Sequence, residues 1–206
     1  MSSTNRTKDE KAADPDYYAT DLQAIRDFFN AARSDAGTIS TGLNDPNVMV
    51  LDPCAGGSEG AICSIPMSYP TVLSEFGFGN IETFDIRQDS LAHIKGDYLK
   101  MDCKGKYDLI ITNPPFQLAL AIIEKALLFD VKENGHVIML QRLNFLGSQV
   151  RKPFFEKNMP EAVFVHSKRI KFTRPTGKSG TDSIEYAHYV WSKDGKARKS
   201  SLLRLV

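Results

Sequence analysis

The stretch Asp108-Leu109-Ile110-Ile111-Thr112-Asn113-Pro114-Pro115-Phe116 decides how this sequence folds and where its chemistry lies. Residues 108–112 are mostly apolar and rich in β-branched side chains, which predicts a short buried β-strand. Residues 113–116 follow at the carboxyl end of that strand, where ligands gather in open α/β sheets. The two prolines restrict φ and force an extended turn. We therefore expect an amide side chain, backbone carbonyl groups and an aromatic ring to face a crevice there.

Such a crevice suits a planar molecule that carries an exocyclic amino group. The side-chain oxygen of Asn113 and a backbone carbonyl oxygen can accept the two N–H bonds of that group, while the ring of Phe116 stacks on the molecule. Taken alone, the tetrapeptide has another interpretation, which is an ordinary Pro-Pro turn after a strand.

A second buried strand, Val48-Met49-Val50-Leu51, is followed by the turn Asp52-Pro53-Cys54-Ala55-Gly56-Gly57-Ser58-Glu59-Gly60. Glycines at a strand-to-helix turn let the backbone come close to a ligand. The turn lacks the G-x-G-x-x-G pattern, and no Lys follows the glycines, so a phosphate-binding loop is not indicated. A tight glycine turn headed by an acid suits a cationic or hydroxyl-rich ligand instead.

The two motifs together resemble those of the class I S-adenosylmethionine-dependent methyltransferases, whose first motif has the form D-P-x-A-G-G. Within that class the chain resembles the amino-methyltransferases marked by N-P-P-F or N-P-P-Y, which are chiefly DNA adenine-N6 enzymes of phages and bacteria. The resemblance covers nearly everything after residue 15. It implies S-adenosylmethionine as the cofactor, DNA as the partner with RNA as the alternative, and a catalytic tetrapeptide made of Asn113, Pro114, Pro115 and Phe116.

The resemblance also implies a set of cofactor contacts. The turn motif and the tetrapeptide would contribute Asp52, Cys54, Ala55, Gly56, Gly57 and Asn113. Asp85, which ends an alternating strand, would accept the ribose hydroxyl groups, and Asp97 would meet the adenine amino group. Each of these two acids has a helix cap or a turn as its alternative role.

An upstream segment completes the expected cofactor site. The sequence Asp16-Tyr17-Tyr18-Ala19-Thr20 matches a D-Y-Y-x-T segment that, in related methyltransferases, closes over the methionine end of the cofactor. We carry this role over to Tyr18 and Thr20. The Pro that usually follows the Thr is Asp21 here, and a helix cap is the alternative role for Thr20 or Asp21.

Composition favours one globular domain. The chain has 206 residues, 42% of them hydrophobic and 25% charged, which is enough for a single good core. The polar start predicts a disordered leader over residues 1–15 and a single methyltransferase domain over residues 16–206. Cys54, Cys63 and Cys103 show no C-x-x-C spacing and no nearby His cluster, so neither disulfides nor a metal is expected.

No apolar run approaches the length of about 20 residues that a membrane-spanning helix needs. We therefore expect no membrane partner and a cytoplasmic location, which for a phage-encoded enzyme would be the cytoplasm of its bacterial host. The oligomeric state is not predicted.

The charge is unevenly distributed along the chain. Residues 142–206 carry 14 Lys and Arg against 5 Asp and Glu, whereas residues 1–141 carry 12 basic and 20 acidic residues. Such a split indicates a polyanion as the partner of the basic part. The predicted nucleic-acid contacts are Arg151, Lys152, Lys168, Arg169, Lys171, Phe172 and Arg174, most of them on a short basic loop near residues 168–183. The alternatives are a solvated basic face, and core packing for Phe172.

Alternating strand and helix patterns predict a doubly wound α/β fold. We expect a leading helix near 20–33, strands near 47–52, 81–85, 107–112, 135–141, 161–166 and 184–192, and helices after the glycine turn, over 117–129 and over 146–157. The predicted sheet is mainly parallel, Rossmann-like and seven-stranded. Its last strand should be antiparallel, because no helix precedes it.

These observations predict methyl transfer to the N6 amino group of adenine in DNA, with the target base flipped out of the duplex. There is little room for a separate recognition domain, so we expect short or no sequence context. Two alternatives share the same chemistry, with an RNA base or a protein glutamine amide as the substrate. A third alternative is a catalytically silent nucleic-acid-binding module of the same fold.

Overall fold

The structure is a computed structural model that describes residues 17–34, 42–59, 64–174, 176–181, 183–194, 196 and 200–206. The predicted disordered leader over residues 1–15, and Cys63, lie outside the described residues. The strands are β1 (Ala19–Thr20), β2 (Val50–Asp52), β3 (Ile81–Asp85), β4 (Ile94–Lys95), β5 (Tyr107–Thr112), β6 (Val131–Arg142), β7 (Ala162–Val165), β8 (Lys171–Thr173), β9 (Ser179–Thr181), β10 (Tyr186–Ser192) and β11 (Leu202–Leu205). The α-helices are α1 (Leu22–Ser34), α2 (Ser68–Glu75), α3 (Ala119–Lys125) and α4 (Lys152–Lys157).

In the described part of the chain, eight strands form the main sheet in the order β11-β7-β10-β6-β5-β2-β3-β4. β10 is antiparallel to both of its neighbours, β6 and β7, and the other pairs in this sheet are parallel. The predicted Rossmann-like, mainly parallel α/β fold is confirmed, as is the antiparallel orientation of the strand predicted near 184–192.

The number of strands differs from the prediction of seven, and the antiparallel strand is not the last one. Two strands of this sheet lie outside the six predicted ranges, namely β4 at one edge and β11 at the other edge, where β11 runs parallel to β7. Backbone hydrogen bonds hold it, among them those from Leu202 N to Glu161 O and from Val206 N to Val165 O. The leucines of β11 are exposed, so the strand has no buried face. Its sequence therefore lacks the alternation of apolar and polar residues that predicts a strand.

The strand order reverses between β2 and β5, because the chain continues from β2 through β3 to β4 on one side and from β5 to β6 on the other. Ligand crevices in open α/β sheets form at such a switch point, beyond the carboxyl ends of the strands. β2 ends at Asp52 and β5 ends at Thr112. The fold therefore brings the glycine turn and the N-P-P-F tetrapeptide to the same edge of the sheet.

Helices cover both faces of the sheet. α1 and α2 pack on one face, where Phe28, Phe29 and Leu73 are fully buried. α3 and α4 pack on the other face, which holds Ile123 and Phe155. Because neighbouring residues of a strand point to opposite faces, the central strands contribute to both clusters and read as continuous apolar runs.

Two helices are shorter than predicted. The helix predicted over 117–129 is α3, which begins at Ala119 and continues into a π-helical turn, Ala126–Asp130. The helix predicted over 146–157 is confined to α4. The start of the predicted range, Leu146, belongs to a 3₁₀ turn, Leu143–Leu146. The leading helix agrees with the prediction, and the Asp21 side chain caps it by accepting from Gln23 N at 2.8 Å.

The segment predicted as a basic loop near 168–183 forms a β-hairpin instead. β8 and β9 pair antiparallel, and β1 pairs with the other edge of β8, so that Thr20 lies opposite Phe172. The small sheet β1-β8-β9 ties the segment before α1 to the basic hairpin. The sequence could not show this contact, because its two partners are far apart along the chain.

Among the described residues, no helix is long and apolar enough to cross a membrane.

Candidate active site

The side chain of Asn113 is held in one orientation at the end of β5. Its amide nitrogen donates to Thr20 Oγ1 at 3.1 Å, and Thr20 itself is buried. The structure therefore brings together two residues that the sequence placed in separate motifs. With the amide nitrogen engaged by Thr20, the side-chain oxygen of Asn113 remains as an acceptor for a ligand.

The rest of the tetrapeptide begins the turn into α3. Pro114 is buried and Pro115 is exposed, and Leu118 N donates to Pro115 O at 3.0 Å. The ring of Phe116 is 40% exposed. An aromatic side chain this open, at the mouth of a crevice, is available to stack on a planar ligand.

The glycine turn has the backbone conformation that the sequence predicts. Gly56 and Gly57 have φ values of 67° and 73°, in the left-handed region that glycine adopts without strain. Gly56 N donates to Asp85 Oδ2 at 2.8 Å, and Gly57 N donates to the hydroxyl oxygen of Tyr17 at 2.7 Å. Asp85 Oδ1 also accepts from Arg87 N at 2.8 Å, so Asp85 connects the ends of β2 and β3.

Tyr17 covers the glycine turn. A Cβ atom on Gly56 would lie 2.3 Å from the Tyr17 ring, which shows how closely the ring approaches the turn. The guanidinium group of Arg87 stacks on the same ring at 4.0 Å and donates to Gly57 O at 3.1 Å. The ring centroid of Tyr18 lies 5.6 Å from the guanidinium carbon of Arg174, and contact of Tyr18 with the cofactor stays a prediction.

Asp52 is a buried acid at the centre of the site. It is 1% exposed, and Oδ1 accepts from Cys54 N at 3.1 Å. Burial raises the pKa of Asp52 to about 7. The neighbouring Thr112 hydroxyl group lowers this pKa only in part, because it is not placed to form a hydrogen bond with the Asp52 carboxylate. A cation nearby would favour the ionised form, which is why this site suits a positively charged ligand.

Two neighbouring residues of the turn are predicted cofactor contacts. Ala55 is buried, and its N–H donates to Phe84 O at 2.9 Å. Cys54 is half-buried. Burial raises the pKa of its thiol well above the usual value, and the negative charge of Asp52 raises this pKa by a smaller amount. A thiol of this kind stays protonated and is a packing group rather than a nucleophile.

Asp97 serves as a cap in the structure. Its Oδ1 accepts from Leu99 N at 3.1 Å at the start of a 3₁₀ turn, and its Oδ2 pairs with Lys100 at 3.1 Å. This is the alternative role that the sequence left open. Contact of Asp97 with an adenine amino group stays a prediction.

The site has most of the groups that S-adenosylmethionine requires. The left-handed glycines form a close-approach surface, Asp85 has lone pairs beyond those it already uses, and Asp52 supplies negative charge. One group is engaged internally, because the N–H of Gly57 donates to Tyr17. The residues therefore fit the cofactor, with Tyr17 as the part of the site that must yield for the turn to be fully open.

The predicted nucleic-acid contacts fall into two groups on opposite faces of the sheet. Arg151 and Lys152 lie with α4, where the guanidinium of Arg151 donates to Phe145 O at 2.6 Å and stacks on the Phe145 ring. Lys152 pairs with Glu156 at 3.6 Å. Arg151 is thus engaged by Phe145, whereas Lys152 is exposed, and contact of either residue with nucleic acid stays a prediction.

The second group forms the basic hairpin, defined here as residues 168–181 as far as the structure describes them. Lys168, Arg169, Lys171 and Arg174 are exposed. Phe172 is half-buried and packs against Tyr186 with ring centroids 5.0 Å apart, so core packing accounts for part of its role. A cleft of about 290 Å³ lies between β1, the hairpin and residues 64–68, beside Thr20.

Sequence reasoning missed three residues at the site: Tyr17, Arg87 and Arg142. Arg142 stacks on the Phe116 ring, with its guanidinium carbon 4.2 Å from the ring centroid. The only signal in the sequence was its position at the carboxyl end of a predicted strand. Tyr17 stands next to the Tyr18 that the motif named, and the choice between the two depends on how the segment before β1 lies against the glycine turn.

The chain is similar in structure to several methyltransferases. A protein from Pyrococcus horikoshii assigned as an RNA methyltransferase aligns with a TM-score of 0.60 and 14% identity over 87% of this chain and 88% of that one. A protein from Listeria monocytogenes assigned as a class I S-adenosylmethionine-dependent methyltransferase aligns with a TM-score of 0.58 and 12% identity over 96% and 68%. A protein from Lactococcus lactis assigned as a hemolysin gives 0.53 and 13% over 90% of both chains.

No family model and no curated protein sequence matches the chain. At these identities the structural likeness shows the fold, which is that of the class I methyltransferases.

Proposed function

We propose that this protein transfers a methyl group from S-adenosylmethionine to the N6 amino group of adenine in DNA. The observation that carries the proposal is the geometry of Asn113. Its side-chain nitrogen donates to Thr20 Oγ1 at 3.1 Å. This contact lies at the switch point of the sheet, where the glycine turn follows the neighbouring strand β2. That anchor presents the side-chain oxygen of Asn113 as the acceptor.

Two acceptors at this position would activate an amino group. The lone pair of adenine N6 is delocalised into the ring, so the nitrogen is a poor nucleophile. N–H bonds donated to the Asn113 side-chain oxygen and to the Pro114 carbonyl oxygen favour a tetrahedral nitrogen whose lone pair points away from the ring. S-adenosylmethionine supplies an electrophilic methyl group when bound. The acceptors hold the nitrogen in line, and most of the rate enhancement comes from this alignment and from oriented dipoles.

A strong general base is not required at Asn113, because the N6 proton becomes acidic as positive charge develops on the nitrogen. A base in a duplex cannot reach this crevice while it is stacked, so the target must be flipped out. The Phe116 ring is 40% exposed with Arg142 over one of its faces, so a flipped base would stack on the other face.

Replacing Asn113 tests the reaction. Asn113→Ala removes one acceptor of the developing charge, so we expect methyl transfer to DNA to fall by about two to three orders of magnitude. Affinity for S-adenosylmethionine should stay within about twofold, because the glycine turn is intact. Transfer is measured with tritiated cofactor and affinity by calorimetry. Asn80→Ala, at the opposite edge of the sheet, is the matched control. Full activity of Asn113→Ala on DNA would overturn the proposal.

RNA is the second candidate substrate, because a structural neighbour with a TM-score of 0.60 is assigned as an RNA methyltransferase. Competition decides between the two. Unlabelled duplex DNA should suppress a labelled DNA reaction at lower concentration than RNA of the same sequence does. A stronger effect of RNA would make RNA the substrate.

A silent binding module is separated from an enzyme by a thermal-shift titration with S-adenosylmethionine, since a ligand of the native state must raise the unfolding midpoint. A shift that saturates with cofactor is expected for the enzyme. No shift at any concentration would favour the silent module.

A further inference from the structure

Arg142 is the last residue of β6 and lies over the proposed active site. β5 and β6 are parallel and pair as far as Thr112 with Met139, so β6 extends beyond the end of β5. The extension carries Arg142 past the point where the tetrapeptide begins. Its guanidinium stacks on the ring of Phe116 at 4.2 Å from the centroid. A residue of the adjacent strand thus contacts the aromatic side chain of the catalytic motif.

The guanidinium group of Arg142 lacks a hydrogen-bond partner at a buried atom. Its Nε is shielded from solvent, and within the described part of the chain no acceptor bonds to it. Three other arginines are satisfied: Arg26 forms two bonds to Glu75, and Arg33 and Arg151 each donate to two backbone carbonyls. Arg87 also has a buried atom without a partner, Nη1, but its Nε and Nη2 donate to Asp89 and to Gly57 O. A buried, unused donor on a permanent cation is costly, and it indicates an acceptor that the folded chain itself does not supply.

The charge of Arg142 does not assist the methyl transfer itself. The reaction brings a cationic sulfonium into the site, and positive charge develops on the attacked nitrogen. A further cation beside Phe116 raises the energy of both unless an anion compensates it. A neutral amide substrate would bring no such anion, whereas a nucleotide brings a phosphodiester group attached to the target base. The position of Arg142 therefore favours an anionic substrate over a neutral one.

We propose that Arg142 binds the phosphodiester group that flanks the target nucleotide, and so determines that the substrate is a nucleic acid rather than a protein amide. This inference rests on the proposed methyl transfer and names a substrate-positioning residue for the same site. A planar guanidinium can form two parallel hydrogen bonds to a phosphate, and stacking on Phe116 fixes its plane.

The surroundings of Arg142 extend towards the basic hairpin. Tyr186, which pairs with Arg142 in the sheet register, lies 6.1 Å from Phe116 and 5.0 Å from Phe172 between ring centroids. Phe172 is on β8, next to the exposed Lys171. A strand whose phosphate binds Arg142 can continue along these rings to the lysines of the hairpin.

Kinetics of Arg142→Gln on duplex DNA test the assignment. Loss of a charge-assisted pair of hydrogen bonds should raise KM for DNA by about 10- to 150-fold, with kcat at saturating DNA nearly unchanged because the contact is made equally in the ground state. The salt dependence of binding should flatten by about one unit. Arg142→Lys keeps the charge and should recover the salt dependence but only part of KM. Lys157→Gln, at the exposed end of α4, is the charge-matched control.

A methylphosphonate scan identifies the phosphate. In a duplex with one adenine that the wild type methylates, neutralising one flanking phosphate should weaken wild-type binding and leave Arg142→Gln unaffected. Equal losses in both proteins at every position, or an unchanged KM and salt slope for Arg142→Gln, would overturn the assignment while methyl transfer to DNA still stands. If the wild type methylates a protein amide and no nucleic acid, both the proposed function and the role of Arg142 fail.

Discussion

A single residue, Tyr17, covers the glycine turn. Its hydroxyl oxygen takes the N–H of Gly57 at 2.7 Å, and its ring lies against Gly56, held from behind by the Arg87 guanidinium at 4.0 Å. The backbone that the sequence predicts to meet the cofactor is therefore engaged by the protein itself. A ligand that needs this N–H must displace an internal hydrogen bond, and its apparent affinity falls accordingly.

Tyr17→Phe removes only that hydroxyl group. An intramolecular hydrogen bond contributes about 0.5–1.5 kcal/mol. We expect the variant to bind S-adenosylmethionine more tightly, by about two- to tenfold in calorimetry. Weaker binding would show that the Tyr17 hydroxyl contacts the cofactor instead of competing with it. Tyr18→Phe belongs in the same series, because the sequence predicts a cofactor contact for Tyr18, and a loss of affinity in that variant would support it.

The basic hairpin gathers several of the basic residues from the positively charged part of the sequence on one exposed element. β8 is held between β1 and β9, so Lys171 and Arg174 stand on a paired strand and its end, instead of on a mobile loop. β1 also carries Thr20, which anchors Asn113. The same small sheet thus connects the expected phosphate contacts with the Asn113 amide of the proposed active site.

Combined replacement of Lys168, Arg169 and Lys171 by Ala tests this element. Phosphate contacts provide affinity that does not depend on sequence and that decreases steeply with salt. We expect weaker binding on all DNA sequences and a salt slope smaller by up to about 3 units. Cofactor affinity should be unchanged.

The control replaces the exposed Lys104, Lys157 and Lys196 outside the hairpin by Ala and removes the same charge. Equal salt slopes for the hairpin variant and the wild type would mean that DNA lies elsewhere and that the hairpin is a solvated face.

A buried histidine pair links several elements of the whole molecule. His188 on β10 shares a hydrogen bond of 2.8 Å with His166 after β7, and one of 2.9 Å with the Tyr69 hydroxyl on α2. Phe28 of α1 stacks on the His188 ring at 4.0 Å. Burial lowers the pKa of His166 to about 4, an effect that Asp27 opposes only weakly, and burial also lowers the pKa of His188 well below its usual range.

The unfolded chain therefore binds more protons than the folded chain between the ordinary histidine pKa of about 6.5 and a pH near 4. Stability from His166 is fully present above pH 6.5 and is lost as the pH falls through this window. At about 1.4 kcal/mol per pKa unit, the loss from His166 is roughly 3 kcal/mol. Urea unfolding at a series of pH values measures it.

His166→Gln should flatten the pH dependence of the free energy of unfolding between pH 6.5 and 4, whereas His93→Gln, a change at an exposed histidine, should not. An identical slope in wild type and His166→Gln would show that this histidine is not the origin of the acid sensitivity. Asp52 acts in the opposite direction, since its pKa is raised to about 7, so the difference between variant and wild type is the informative quantity.

The fold class, the positions of most strands in the main sheet and the meeting of the two motifs could all be predicted from local patterns in the sequence. Buried strands with glycine or proline turns at their carboxyl ends are local patterns, and parallel strands bring those ends to one edge of a sheet. Residues 108–116 were therefore sufficient to place the tetrapeptide at the same edge of the sheet as the glycine turn. The edge strand β11 escaped prediction because it is held by backbone bonds and buries little.

Tertiary structure alone decided which side chains complete the site. Thr20 holds Asn113, Tyr17 covers Gly57 and Arg142 stacks on Phe116 across long separations in the chain. The predicted nucleic-acid contacts also differ in their surroundings. The hairpin lysines are exposed, whereas Arg151 donates to backbone carbonyl groups. Local sequence patterns report on burial and turns, whereas these contacts depend on how far β6 extends past β5 and on β1 pairing with β8, which only the folded chain specifies.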